Sequence, residues 1–303
     1  MERVTGMWNK FKNYWYRQDK VAYIFLAPSL IILFLFAFIP LVCSVVIGFM
    51  NMDIFFNNIS FAGFHNFIKA FQDDRFLNAV KNTIVFALAE MPLQIIIGLL
   101  IANLLYKNTF LNKMFRSVFF IPVVCSMAAI GVVWSLLLDG NIGMVPYLFN
   151  KVFGINEISY FREVRTAMPT VILMTVWKNF GYTMSILVVG IQGIPTDYFE
   201  AAEIDGANGS QKFFAITIPQ LLPSLGFCII TNLIGSLQVF DQVYVTTGGG
   251  PQRSTETLVY YIYKTGFTNP YDLGYASAMS VIMLVIILAL SLPIYLRMFA
   301  KER

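Results

Sequence analysis

Charge is what this chain has least of. Charged residues make up 13% of its 303 positions, histidine occurs once and cysteine three times. A soluble domain carries nearer to ~25% charged residues, so this composition argues against a water-covered surface. The lone histidine, His65, has no cysteine, histidine or carboxylate at ligand spacing, which argues against a metal centre and for a surface side chain. Cys43, Cys125 and Cys228 are odd in number and lie inside apolar runs, so they read as packing residues and not as a disulfide framework. No G-x-x-x-x-G-K-[ST] stretch occurs, so the chain has no phosphate-cradling loop of that kind. No short repeat or low-complexity tract marks a second domain, and a net charge of +4 gives no nucleic-acid footprint.

What is abundant is apolar length. Hydrophobic residues make up 57% of the chain and are gathered into blocks. The runs 21–52, 117–138, 213–240 and 273–296 hold no charged residue. Two more hold one each: 82–106 contains Glu90, and 166–196 contains Lys178. Each exceeds the roughly 20 residues a helix needs to cross about 30 Å of hydrocarbon. The expected fold is therefore all-α, a polytopic membrane protein with six transmembrane helices. The spans are placed at about 21–49, 76–106, 115–138, 167–192, 213–245 and 271–296, with a kink at Pro40. A short amphipathic helix is expected near 145–153.

With six alternating spans and a cytoplasmic N-terminus, twelve cations fall inside and eight outside, a moderate bias. Lys10, Lys12, Arg17 and Lys20 precede the first span, Lys107, Lys113 and Arg116 follow the second, and Arg297, Lys301 and Arg303 follow the last. This bias puts both termini in the cytoplasm. Residues 1–20, basic and aromatic (Trp8, Tyr14, Trp15), suit a cytoplasmic interfacial segment, with residues 21–303 forming one membrane domain. The first apolar run is too long for the core of a signal peptide and reads as a retained span.

Charges at membrane depth ask for an explanation. Glu90, directly before Met91-Pro92, is either a functional carboxylate or the partner of a backbone group freed at a helix break. Lys178 and Asp241 fall within expected spans and would pair with each other, or Lys178 with Glu90.

Between the fourth and fifth spans lies an acidic island. Asp197, Glu200, Glu203 and Asp205 crowd together, while Lys212 is the sole cation between Lys178 and Arg253. Pro195 ends one helix, Thr196 or Asp197 can cap the next, and Gly206 stops it. Asn208-Gly209-Ser210 supplies another turn and cap before Gln211. The reading is a short helix with a flat Ala201-Ala202 side, a sharp bend and a second helix feeding span five. A plain charged loop needs neither the alanine pair nor two bends.

The stretch Tyr198-Phe199-Glu200-Ala201-Ala202-Glu203-Ile204-Asp205-Gly206-Ala207, with Ile218-Pro219 downstream, resembles the "EAA" cytoplasmic loop of permease subunits in bacterial binding-protein-dependent ABC importers. Ala27-Pro28-Ser29-Leu30, Val176-Trp177-Lys178-Asn179-Phe180-Gly181, Gln238-Val239-Phe240-Asp241 and Thr247-Gly248-Gly249-Gly250-Pro251 are similar to the maltose-type oligosaccharide-uptake branch. The likeness runs in order from about 21 to 296. It implies a permease subunit of the bacterial plasma membrane that forms half of a sugar pathway and is not itself an enzyme. The implied partners are a second related permease, an extracellular solute-binding protein and two ATPase subunits that hold ATP and Mg; no cofactor is implied on this chain. The loop at about 193–212 would couple to the ATPase, with Glu200, Ala201, Ala202, Asp205, Gly206 and Pro219 matching the family motif. Asp197 and Glu203 are expected, on charge alone, to meet basic residues there. The family's solute contacts map near Trp177, Phe180, Gly181 and Met184 on span four and Asn232, Gly235, Ser236 and Val239 on span five. Of these only Gly181 matches the maltose transporter in residue type.

Two other classes compete. An ion-coupled secondary transporter would use Glu90, Lys178 and Asp241 but leaves the acidic island unexplained. A membrane-embedded enzyme needs a clustered nucleophile, metal site or acid–base pair, and the scattered acids do not supply one.

Overall fold

In hydrocarbon every backbone N–H and C=O must find its partner within the chain, so the apolar runs have little choice but helix. The computed structural model describes residues 18–57, 59–154 and 159–299, and within them the runs are helical. The segment 1–17, expected at the membrane interface, lies outside the described residues.

The first span is α1 (Gln18–Leu33) and α2 (Ile39–Gly48), joined without a gap by a π-helical turn at Phe34–Phe38. Pro40 explains the turn. Its ring would strike the carbonyl four residues back, at Phe36, and the wider turn there opens the space. A two-residue antiparallel ladder pairs β1 (Met50–Asn51) with β2 (Ser60–Phe61). Helix α3 (His65–Gln72) then leads to α4 (Asp74–Leu105), the second span, capped by the Asp73 carboxylate accepting from the Arg75 N–H. Glu90 sits in an unbroken stretch of α4, which runs through Pro92, so the helix break expected beside it is absent.

The third span is not one rod. It is α5 (Phe110–Val124) and α6 (Met127–Leu137), bent by 94° at Cys125 and Ser126. Pro122 weakens the last turn of α5, and the chain leaves it with extended dihedrals at both linking residues. Helix α7 (Met144–Phe153) fulfils the expected amphipathic segment and ends at Gly154 with a φ of 65°. The fourth span is α8 (Ala167–Gln192).

The island forms α9 (Thr196–Ile204), and α10 (Gly209–Lys212), a π-turn (Phe213–Thr217) and α11 (Ile218–Gln220) follow. This run meets α12 (Leu222–Leu237) at a 69° bend, so the fifth span too is broken where a continuous helix was expected. Pro219 stands to its π-turn as Pro40 stands to the first, two residues beyond its end. The chain then bends at Phe240 into α13 (Asp241–Thr246), turns through Gly248 and Gly249, and continues as α14 (Leu258–Phe267) and α15 (Leu273–Phe299), the sixth span. Four helices are long and apolar enough to cross a membrane, and counting each bent pair as one crossing gives six.

Helix α8 is the hub. Its most apolar window is 67% buried within the chain, against none for the first span, which presents carbon on all sides. Helix α8 packs on α4, α5 and α12, and Gly181 lets α5 approach: a Cβ there would strike the Phe119 carbonyl oxygen.

The end of the bundle opposite the island is tied by polar contacts. Arg75 donates twice to Glu256, at 2.8 and 2.6 Å, and the Glu256 side chain is almost wholly buried. The Asp73 carboxylate accepts from the hydroxyls of Tyr261 (2.5 Å) and Tyr275 (2.8 Å), and Lys69 meets Asp272 at 3.0 Å. These contacts join α3 and α4 to the far end of the chain.

Candidate functional site

Two sites emerge: the exposed turn at 196–212 and a polar cavity between the helices on either side of it.

The turn is built by backbone hydrogen bonds. Ala207 N–H donates to the Ala202 carbonyl (2.8 Å) and Gly206 N–H to that of Glu203 (3.1 Å), the paired closure of a Schellman motif. It requires a left-handed residue, and Gly206 has a φ of 77°. Two residues on, the Asn208 side chain accepts from Gln211 N–H (2.9 Å) while the Gln211 side chain accepts from Asn208 N–H (2.8 Å), a capping box that starts the next helix. The N-terminus of α9 differs from expectation. Pro195 is its cap, and Thr196 and Asp197 are already helical, so neither caps it; Asp197 lies in the first turn, where the helix dipole favours an anion.

Nothing in α9 is buried. Glu200, Ala201, Asp205 and Gly206 are exposed, Ala202 is half-buried, and Ile204 is 87% exposed. Glu203 is met by Lys212 at 3.1 Å, which occupies a carboxylate expected to face a partner's cations. Asp197 and Glu200 have no such partner among the described residues. Pro219 lies on the far side of the π-turn, where the chain bends into α12.

The cavity has a volume of about 210 Å³. Helix α4 contributes Phe86, Glu90 and Gln94; α8 contributes Thr175, Asn179 and Tyr182; α12 contributes Thr231, Asn232, Gly235 and Ser236. Val123 from the break in the third span and Gln242 from α13 complete the wall. Gln94 donates to Thr183 (3.0 Å) and Asn232 (2.9 Å), and Asn232 donates to Thr183 (3.1 Å), which locks the three helices together at this depth. Amides and hydroxyls dominate, as orientation of a polar solute requires. A larger open trough of about 910 Å³ along α5 and α8 is walled mainly by carbon and offers no comparable set.

Of the solute contacts expected from sequence, Asn232, Gly235 and Ser236 line this cavity. The others do not. Trp177 packs on Trp134, ring centres 5.6 Å apart. Phe180 meets the Phe119 ring edge-on, Gly181 abuts the Phe119 backbone, Met184 is fully buried, and the Val239 carbonyl accepts from the Thr257 hydroxyl (2.9 Å). Gln94, Asn179, Tyr182 and Gln242 join the wall without having been singled out, and only helical phase relative to the neighbouring spans could have marked them.

The membrane-depth charges also resolve differently. Lys178 pairs with neither Asp241 nor Glu90; its ammonium donates to the Val123 carbonyl (3.1 Å) and to Asn179 (3.4 Å). The break at Cys125 frees carbonyls at the end of α5, and a cation is the natural donor for that negative helix terminus. Asp241 is exposed in the first turn of α13 and needs no buried partner. Among the described residues Glu90 has no hydrogen-bond or ion-pair partner.

The family model of the binding-protein-dependent transport system inner membrane component matches residues 94–302. A probable ABC transporter permease protein, YurN of Bacillus subtilis, is 34% identical over 281 residues, 91% of this chain and 95% of that one. The sn-glycerol-3-phosphate transport system permease protein UgpA of Agrobacterium fabrum is 31% identical over 89% of this chain and 91% of its own. In fold, a chain from a bacterial alginate ABC transporter crystallised with an alginate-bound periplasmic protein superposes with a TM-score of 0.78 at 21% identity, over 95% of each chain. By the family match and by these relatives, the chain belongs to the inner membrane components of binding-protein-dependent transport systems, the permease subunits of ABC importers.

Proposed function

We propose that the chain forms half of the translocation pathway of an ATP-driven carbohydrate importer, with the island as its coupling element. The observation that carries this is connectivity: the exposed α9 turn joins the two helices, α8 and α12, that face each other across the polar cavity. A push on α9 is transmitted through the Schellman turn that closes it and the capping box that starts the next helix, and reaches α12 through the π-turn and Pro219. Moving α12 against α8 alters the cavity wall itself, which is how docking on one side of a membrane can change access to a site within it.

In this reading Glu200, Ala201, Ala202, Asp205 and Gly206 dock on an ATPase subunit. Two such subunits hold ATP and Mg, a second related permease completes the pathway, and an extracellular binding protein delivers the solute. Both termini and α9 then lie in the cytoplasm. A carbohydrate solute fits the amide and hydroxyl lining, and one relative, at 31% identity, is named for sulfoquinovosyl glycerol transport.

Reconstitution of the full assembly in vesicles tests it. Uptake should require ATP and the binding protein and survive an uncoupler. Uptake that proceeds without ATP and collapses with the uncoupler would favour an ion-coupled transporter working through the buried Glu90.

A further inference from the structure

Glu90 is 3% exposed, lines the polar cavity and is met by no donor among the described residues. Several of the groups around it have already spent their protons elsewhere. The hydroxyls of Thr175, Thr231 and Ser236 donate into their own helices, to the carbonyls of Val171 (2.8 Å), Phe227 (2.8 Å) and Leu233 (3.0 Å), leaving lone pairs toward the space. Both protons of the Gln94 amide are spent on Thr183 and Asn232. Among the described residues none lining the cavity is Lys or Arg. Asn179, Tyr182 and Gln242 also line the space with donors, yet none of them meets Glu90, whose carboxyl is left facing the cavity and, when ionised, can only accept.

We propose that Glu90 is a solute-contacting selectivity residue: its carboxylate accepts from hydroxyl groups of a neutral sugar and bars anionic ones. The proposal rests on the transport reading above and deepens it. A sugar hydroxyl brings the proton that Glu90 lacks, whereas a phosphate, sulfonate or uronate brings a like charge beside it. The chain would then differ in solute charge from relatives named for sn-glycerol-3-phosphate and for sulfoquinovosyl glycerol.

Thiol labelling reads this directly. Gly235 is exposed to the cavity and a Cβ built there meets nothing within 4 Å, so Gly235→Cys fits a reporter without displacing a neighbour. In the full-length chain with Cys43, Cys125 and Cys228 replaced by serine, cationic and anionic methanethiosulfonates are compared, each rate divided by its rate with free mercaptoethanol. The cationic reagent should win by about tenfold, equivalent to about 1.4 kcal/mol, and Glu90→Gln should bring the ratio close to unity. Maltotriose should slow labelling, trigalacturonate should not, and Glu90→Gln should erase that difference. A ratio near one with Glu90 present, or a ratio unmoved by Glu90→Gln, overturns the proposal. Should the Gln variant misfold, Glu90→Asp must keep the cationic preference, and an anionic preference in the unsubstituted protein sinks the idea without any variant. Labelling needs neither ATP nor a binding protein, so its outcome is independent of whether ATP-driven uptake is found.

Discussion

Lys178 shows how a single buried charge is read differently by sequence and by structure. In a straight third span its ammonium would need a carboxylate; in the broken span it has a helix end to cap. Lys178→Met should therefore strand the Val123 carbonyl and cost roughly 1–3 kcal/mol. Thermal unfolding of the purified chain should show the loss, with Lys178→Gln, still a donor, retaining part of the stability. Equal melting of the Met variant and the parent would remove the capping role. Gly181→Ala tests the closest approach in the hub. The added methyl must push α5 off α8, at about 1–3 kcal/mol by overpacking, and a parent-like melting curve would contradict so close an approach of the Phe119 carbonyl. Lys178 was visible in the sequence as an unusual residue and Gly181 as an expected solute contact, but what each touches is set by the placement of α5, more than fifty residues away in chain order.

At the scale of elements, the short helix α9 was legible almost residue by residue. Pro195, Gly206 and the Asn208–Gln211 pair act through backbone geometry and near neighbours, so local rules suffice. The cap at Thr196 or Asp197 failed because Pro195 itself supplies the extended dihedrals that start the helix. Gly206→Ala places a side chain at a φ of 77°, at a cost of roughly 1–2 kcal/mol confined to an exposed turn. It should leave the melting of the isolated chain near that of the parent while lowering ATP-driven uptake by the assembly. Unimpaired uptake would argue against α9 as the coupling element. The two bends were less legible. Pro122 and the Pro219–Pro223 region mark where a helix can yield, yet how far it yields is set by what packs on either side.

Across the whole molecule, stability at the end opposite α9 depends on ties between residues far apart in sequence. Arg75→Met leaves the Glu256 carboxylate buried and unpaired, a change that typically costs about 3–5 kcal/mol. Adding Glu256→Leu should recover much of that loss; a double variant as unstable as the single would mean that packing, not charge, dominates there. Burial pushes the Asp73 carboxyl up, but hydrogen bonds from Tyr261, Tyr275 and the Arg75 and Phe76 N–H groups more than reverse this, holding it below its ordinary value of 3.8. A carboxyl depressed in the folded state stabilises above its unfolded value and loses that contribution as pH falls through the folded one. The melting temperature should therefore drop as pH falls below 3.8, and Asp73→Asn should flatten that part of the profile. An unchanged profile would show that the two tyrosines do not draw on the charge.

By itself the sequence determined that the chain is helical and crosses a membrane, because apolar length and backbone satisfaction in lipid leave no other solution. It also determined the turn at 196–212, whose conformation is decided within a few residues. Tertiary structure alone decided that two spans are broken, that Lys178 caps one break, that Asp241 lies exposed, and which of the expected solute contacts share a cavity with Glu90. Those outcomes depend on helical phase and close approach between distant segments, and neither is written in the order of residues along one helix.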